Sequence, residues 1–230
     1  MSMQTIKTRK LMENKEMQTK ENIEKIFEYL GRLFPNPKCE LNFETPFQLL
    51  IAVILSAQCT DKRVNEVTPI LFSKYPTAEA LSKADLQDVE EIIRPLGFFR
   101  NKSKAIVNCA KGVCELFDGQ VPNDVDALQQ LSGVGRKTAN VVTAEAYGAN
   151  NIGVDTHIFR VSHRLDLSQG TTPLAVELDL KKQLQGRQNN IDHFLLVLFG
   201  RYHCKAVKPN CAECELKDIC LYYKEKFNNK

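Results

Sequence analysis

No apolar run in this 230-residue chain approaches the roughly 18 residues that a membrane span requires. The opening Met1-Ser-Met-Gln-Thr-Ile-Lys-Thr-Arg-Lys10 is charged but has no apolar core behind it, so a signal peptide is not expected. The chain is not short of apolar residues either. At 43% hydrophobic it lacks the depletion that marks disorder, and it can bury one sizeable core or two smaller ones. A strong excess of charge is also missing: the net value is +3, so binding to a polyanion must rest on local patches. These absences lead to the expectation of a self-folding cytosolic protein.

Alternating strand patterns are absent, and helical ones follow one another along the chain. From Lys20 to Leu33 apolar residues recur at Ile23, Ile26, Phe27, Leu30 and Leu33, and the stripe ends at Pro35-Asn-Pro37. Thr45-Pro46 opens Phe47-Gln-Leu-Leu-Ile-Ala-Val-Ile-Leu-Ser56, apolar nearly all round and so a buried central helix, with proline at its first position. Further helices are predicted over 61–74, 77–81, 85–94, 101–117, 124–131, 136–147, 155–165, 173–184 and 190–200, separated by turn residues such as Pro76, Gly97, Asp118-Gly119, Gly148 and Gly170. The predicted fold is all-α. Residues 1–19, polar and mixed in charge, read as a disordered or loosely helical extension.

Leu131-Ser-Gly-Val-Gly-Arg-Lys-Thr-Ala-Asn140 joins two of these helices. On glycine spacing alone it is a tight turn. The whole string says more, because Leu128, Leu131 and Val134 before the turn and Ala139, Val141 and Val142 after it can pack while the backbone between stays outside. Gly133 and Gly135 are free to take angles that a side chain forbids, which lets successive amides point at one anion. The helix from Arg136 offers its positive end to the same anion, with Val134, Arg136 and Thr138 as further contacts.

Lys137 stands in the first turn of that helix. It fits a phosphate contact or a solvated lysine, and it also fits an amine nucleophile. At an ordinary pKa of roughly 10.4 only about a thousandth of a lysine is neutral near pH 7.4. The positive helix end and partial burial beside a docked sugar would both favour that neutral form. Eighteen residues on, Gly153-Val-Asp-Thr-His-Ile-Phe-Arg160 supplies Asp155, a carboxylate able to manage charge and protons at the same carbon. It pulls Lys137 toward the ammonium, so the pair is expected to be resolved by proton transfer when substrate arrives.

Of eight cysteines, Cys39, Cys59, Cys109 and Cys114 are scattered, whereas Cys204, Cys211, Cys214 and Cys220 follow C-x6-C-x2-C-x5-C. This is the usage of reduced thiols plus one metal site. Four thiolates suit zinc and a [4Fe-4S] cluster alike; zinc sites more often pair two C-x2-C knuckles, and only one is present.

These segments together resemble the endonuclease III family of DNA base-excision repair enzymes, over about residues 22–222. The hairpin is similar to the family's helix-hairpin-helix element over 124–147, with Ser132 where the family usually has proline. The resemblance implies that Lys137 is the nucleophile and Asp155 its acidic partner, as in the bifunctional members that remove a damaged pyrimidine and then cut the strand by β-elimination. The adenine glycosylase branch lacks the lysine and usually carries a further C-terminal domain, whereas this chain has Lys137 and stops ten residues after Cys220. A non-catalytic DNA-binding module built on the same hairpin is the other reading, and the joint presence of Lys137 and Asp155 weighs against it.

The resemblance also decides the metal site for a [4Fe-4S] cluster of structural role, shaping the basic loop Lys205-Ala-Val-Lys-Pro-Asn210 so that Lys205 and Lys208 face phosphates. It places Gln58, in Leu55-Ser-Ala-Gln-Cys-Thr-Asp61, in the space left by an extruded nucleotide, although those residue types also suit a polar helix end. Phe98, in Leu96-Gly-Phe-Phe-Arg-Asn-Lys-Ser-Lys104, takes the place of an apolar wedge that helps to unstack a base, although an aromatic there suits a core as well. His157 fits the lesion pocket and a structural histidine equally. Two helical domains are implied, a six-helix unit over 40–150 and an iron–sulfur unit from 20–39 plus 151–225, with damaged duplex DNA in the groove between them and the protein acting as a monomer.

Overall fold

A computed structural model of the chain describes residues 17–187 and 189–228. The expected extension over 1–19 therefore lies almost wholly outside the described residues. Every regular element among them is helical, and none is a strand. No helix among them is long and apolar enough to cross a membrane. The chain divides into two compact units: Lys38–Gly153 with Gln188–Phe194, and Met1–Pro37 with Val154–Arg187 and Leu195–Lys230.

The first unit is built round helix α2, Pro46–Leu55, as its all-round apolar sequence requires; α1, Lys20–Leu33, belongs to the second. Every residue of α2 from Phe47 to Leu55 is buried. Thr45 caps it through a 3.2 Å hydrogen bond from the Gln48 amide, and Pro46 occupies a first-turn position where no amide is needed. Helices α3 (Asp61–Lys74), α4 (Ala78–Ser82), α5 (Leu86–Ile93) and α6 (Phe99–Phe117) follow. A short α7 (Val125–Leu128) and then α8 (Arg136–Tyr147) complete the unit's main series, and α2 packs against α3, α6 and α8. Each fully buried Leu or Ile contributes roughly 1.5–3 kcal/mol, so α2 fixes where its neighbours lie.

The helix predicted over 124–131 is shorter than its apolar pattern suggests. After Leu128 the chain tightens, with the Gln130 amide on the Ala127 carbonyl at 3.1 Å and the Leu131 amide on Leu128 at 3.1 Å. Leu128, Leu131 and Val134 are all buried, so the apolar spacing reflects packing of a turn and not continued helix.

In the second unit α1 buries Ile23, Ile26, Phe27, Tyr29 and Leu30, while Leu33, the last residue of the predicted stripe, is exposed. Helices α9 (Thr156–Arg164) and α10 (Pro173–Gln183) pack on each other. Helix α11 (Asn189–Leu198), which the division between the units cuts after Phe194, runs into a π-helical turn, Phe199–His203, closed by the Cys204 amide on the Phe199 carbonyl at 2.7 Å. That turn is where the predicted 190–200 helix departs from α geometry, and it delivers Cys204. Beyond the cysteines a short α12 (Leu221–Tyr223) continues into a second π-helical turn, Lys224–Asn228, which the sequence pattern did not suggest.

Candidate active site and thiol centre

The hairpin is seated by Gly133. Its φ is +76°, and a Cβ there would stand 3.1 Å from the Ala105 Cβ and 3.3 Å from the Ile54 Cγ2. Glycine is needed for both angle and space. Gly135 differs from expectation: its backbone, φ −91° and ψ 173°, is one any residue adopts, and nothing lies within 4 Å of where its Cβ would be. What its missing side chain preserves is open approach to the start of α8. Val134 is 7% exposed, so its side chain belongs to the core and only its backbone is left for a ligand.

Helix α8 begins at Arg136 with no side-chain cap. Its first turn closes with the Ala139 amide on the Gly135 carbonyl at 3.0 Å, which leaves the amides of Lys137 and Thr138 without an intrahelical partner. Lys137 is exposed and makes no hydrogen bond or ion pair among the described residues. Behind it the return segment is tied to α8 from within: the buried Asn140 donates to the Ile152 carbonyl at 3.2 Å, and Asn151 donates to the Thr143 hydroxyl at 2.9 Å. Gly153 consequently comes against the Lys137 carbonyl.

From α1 to α10, every helix start but two is capped by a side-chain oxygen: Thr19, Thr45, Thr60, Thr77, Asp85, Asp124, Asp155 and Thr172. The exceptions are α8, behind Gly135, and α6, behind Phe98. Phe98 is 66% exposed with φ +57°, which removes it from the core. Gln58 is likewise exposed with φ +53°, between α2 and α3, and caps neither. Two side chains larger than glycine thus stand in the left-handed region at the turns singled out from sequence. Gly133 packs on Ile54 and Ala105, so the hairpin rests on the helices that lead into Gln58 and out of Phe98.

In the second unit Asp155 is the N-cap of α9. Its Oδ1 accepts from the amides of His157 at 2.9 Å and Ile158 at 2.8 Å, and Oδ2 carries none of these bonds. The Arg160 guanidinium lies 3.3 Å from the His157 Nδ1. Arg160 also donates to the carbonyls of Gly200 at 2.8 Å and Cys204 at 3.2 Å. These bonds hold His157 in the packing of its own unit.

One turn further on, Arg164 donates to the Cys204 Sγ at 3.3 Å, the Lys205 carbonyl at 2.8 Å and the Ala206 carbonyl at 3.2 Å, and lies 4.2 Å over the Tyr222 ring. Lys205 and Lys208 are exposed on the loop so held, and Lys208 has φ +51°. The paired arginines were not singled out from the sequence; their signal was the i, i+4 spacing of two cations in the helix behind Asp155.

The four clustered thiols lie within electrostatic reach of one another. Burial pushes the Cys220 thiol up to about 11, with Cys204, Cys214 and Cys211 adding to the rise. Burial and then Cys204 raise Cys211, and burial, Cys204 and Cys211 raise Cys214. Among the described residues, however, no three cysteine, histidine or carboxylate groups are near enough to hold a single metal ion.

Residues 51–185 match the HhH-GPD superfamily base excision DNA repair protein family. Endonuclease III of Synechocystis sp. is 47% identical over 204 residues, which cover 87% of this chain and 92% of that protein. Endonuclease III of Bacillus subtilis is 45% identical over 199 residues, covering 86% and 91%. In three dimensions the chain is similar to the protein in a trapped endonuclease III–DNA covalent intermediate, with a TM-score of 0.86 at 43% identity over 91% of this chain and 99% of that one.

Proposed function

The chain belongs to the HhH-GPD superfamily of base excision DNA repair proteins and is a DNA glycosylase/AP lyase; from that premise we propose that Lys137 is its nucleophile and that its substrates are oxidised pyrimidines in duplex DNA. The observation that carries this reading is the start of α8, where an exposed, unpaired lysine stands in an uncapped first turn beside Gly133 and Gly135.

A phosphate docked on the free amides of that turn would bring a sugar within reach of the Lys137 amine. The amine attacks C1′ and the C1′–N bond breaks, its electron pair leaving with the base, which takes up the proton that Lys137 loses. Asp155, through the oxygen not spent on its helix cap, stabilises the positive charge that grows on the sugar and passes protons between amine and base. The amine's second proton then passes to O4′ as the C1′–O4′ bond breaks, leaving an open-chain imine that makes H2′ acidic; removal of H2′ expels the 3′ phosphate and cuts the strand. Gln58 and Phe98 enter the duplex to offset the unstacking of the extruded nucleotide, and their left-handed turns hold them clear of the protein.

Cys204, Cys211, Cys214 and Cys220 are the residues to hold a [4Fe-4S] cluster. The four thiols act on one another through space, as donors gathered to one site do, and the C-x6-C-x2-C-x5-C spacing that resembles the endonuclease III family favours a four-iron cluster over zinc. The Arg164 guanidinium, which donates to the Cys204 Sγ, suits the negative charge that four thiolates round iron would carry. Bound there, such a cluster would be structural, and together with Arg164 it would anchor the loop that presents Lys205 and Lys208 to phosphates.

Borohydride with duplexes containing an abasic site or an oxidised pyrimidine tests the proposal. The expected result is a covalent protein–DNA adduct that Lys137→Gln abolishes while binding persists. An adduct formed by Lys137→Gln at the wild-type rate would move the nucleophile elsewhere, and no adduct from the wild type would reject the lyase chemistry proposed for this lysine.

A further inference from the structure

Lys102 is buried, at 6% exposure, and its Nζ has no hydrogen-bond partner. Buried cations are ordinarily paired, and long lysine side chains ordinarily carry the ammonium out to water. Lys102 does neither. Burial lowers its pKa, and the titratable group that it senses is Cys59, next to Gln58.

The position of this amine is defined from both sides. On its own helix, the Lys102 amide donates to the Phe98 carbonyl at 3.0 Å, so the residue forms the first turn of α6 directly behind the exposed Phe98. Across from it, the Gln58 turn is closed by the Cys59 amide on the Ser56 carbonyl at 3.0 Å. The carbonyls of Ala57 and Gln58 accept no hydrogen bond among the described residues. Helices α2 and α6 pack on each other, and Ile54 and Ala105 meet at Gly133, so a donor without acceptors and a turn that has acceptors without donors stand at the same end of that packing, and both flanking residues, Gln58 and Phe98, hold positive φ.

We propose that Lys102 is a positioning residue for the intruding pair: its amine takes up the free carbonyls of the Gln58 turn as that turn moves on DNA binding, so that Gln58 and Phe98 enter the duplex together. This rests on the reading of Gln58 and Phe98 given above. The amine is too enclosed to meet a phosphate directly. As a filler of space it is inferior to methionine, which has similar length and no desolvation penalty. What lysine adds is three donors, and the turn offers carbonyls for them.

The test compares Lys102→Met with wild type on two substrates. On a single-stranded oligonucleotide carrying an abasic site, where no base need be displaced, borohydride trapping should stay within about twofold. On a duplex with one oxidised thymine, single-turnover base removal should fall by about tenfold or more, as misplacement of a group remote from the chemistry can produce. The fluorescence of 2-aminopurine opposite the lesion, which reports opening of the duplex, should rise less. Thermal stability should be unchanged or higher, since an unpaired buried amine has been removed. In a Gln58→Ala background the same substitution should cost nothing further on the duplex.

An unchanged duplex rate, an equal loss on both substrates, or a loss that simply adds to that of Gln58→Ala would each overturn the assignment. Trapping of the single strand by wild type reports on the Lys137 reading alone. Its absence would remove that reading and this one with it, whereas its presence beside any of the three contrary results removes only the role of Lys102.

Discussion

A Cβ placed on Gly153 would stand 2.9 Å from the carbonyl oxygen of Lys137 and 2.7 Å from Val141 Cγ2. The segment leading to Asp155 thus crosses the first turn of α8 with no room for a methyl group. Gly153→Ala must displace either that backbone or the start of the helix, an overpacking of about 1–3 kcal/mol. For a chain of this size the melting midpoint should drop by roughly 2–10 °C. Borohydride trapping through Lys137 should fall more than the lost folded fraction explains; a midpoint and a trapping rate both like wild type would show that the contact relaxes freely.

Asp155 caps α9 and is proposed to act on the sugar as well, and two substitutions divide the two duties. Asn accepts the amides of His157 and Ile158 about as well as Asp does, so Asp155→Asn should keep the cap of α9 and lose at least about tenfold in single-turnover base removal. Asp155→Ala should add a loss of about 0.5–2 kcal/mol in stability. Denaturant titration beside single-turnover kinetics checks both, and a fully active Asp155→Asn would confine this residue to capping.

Lys205 and Lys208 project from a loop whose carbonyls Arg164 grips. Phosphate contacts of this kind act through counterion release, each contributing roughly 0.9 to the slope of log affinity against log salt. The double alanine variant should bind damaged and undamaged duplexes more weakly by similar factors, with the slope flatter by nearly two units. Salt titrations on both duplexes decide this, and a loss confined to damaged DNA would assign the loop to lesion recognition instead.

The eight thiols should react in a definite order. Cys109 is fully buried and its pKa is pushed up to about 12 by burial, so it should alkylate only on unfolding. Purified protein should contain about four irons per chain and be yellow-brown, with Cys204, Cys211, Cys214 and Cys220 protected until iron is removed by chelation. Mass spectrometry after pulsed alkylation checks both, and stoichiometric zinc in protein prepared without air would overturn the cluster.

Acid should weaken a junction far from this chemistry. Lys74 and then Tyr75 hold the Asp88 carboxyl below its ordinary value through hydrogen bonds at 2.5 Å each. Because the folded pKa is depressed, the stabilisation is present above the unfolded value of about 3.9 and lost as pH falls through the folded one. Burial and the same carboxylate push Tyr75 up to about 12, so its share persists below about 10 and is lost as pH rises toward 12. The gap in urea midpoint between wild type and Asp88→Asn should be open near pH 7 and closed near pH 2. A gap that does not change with pH would mean the pair contributes by packing alone.

Most of the helices could be read from the sequence because their starts are written in single residues: Thr45-Pro46 before α2 and Thr172-Pro173 before α10 each supply both cap and first turn. The Lys137 hairpin was readable for the same reason, since Gly133 must be glycine whatever its neighbours do. Gly135 was misread because an extended glycine and a left-handed one look alike in sequence; only the empty space around it separates them. The isolation of Lys102 could not be read, because a lysine in the first turn of an amphipathic helix ordinarily faces water. The duty of Asp155 as a helix cap was hidden by its acidity, which suits either task.

The left-handed backbone at Gln58 and Phe98 carries a consequence for laboratory selection. An L residue there costs about 1–2 kcal/mol that glycine avoids, although glycine gives part of this back as extra freedom in the unfolded chain. A library screened for heat resistance alone should therefore drift to glycine at both positions. The survivors would be sturdier folds that search DNA without opening it, and a screen meant to keep the enzyme working would have to hold these two sites fixed or reward turnover on damaged duplex as well.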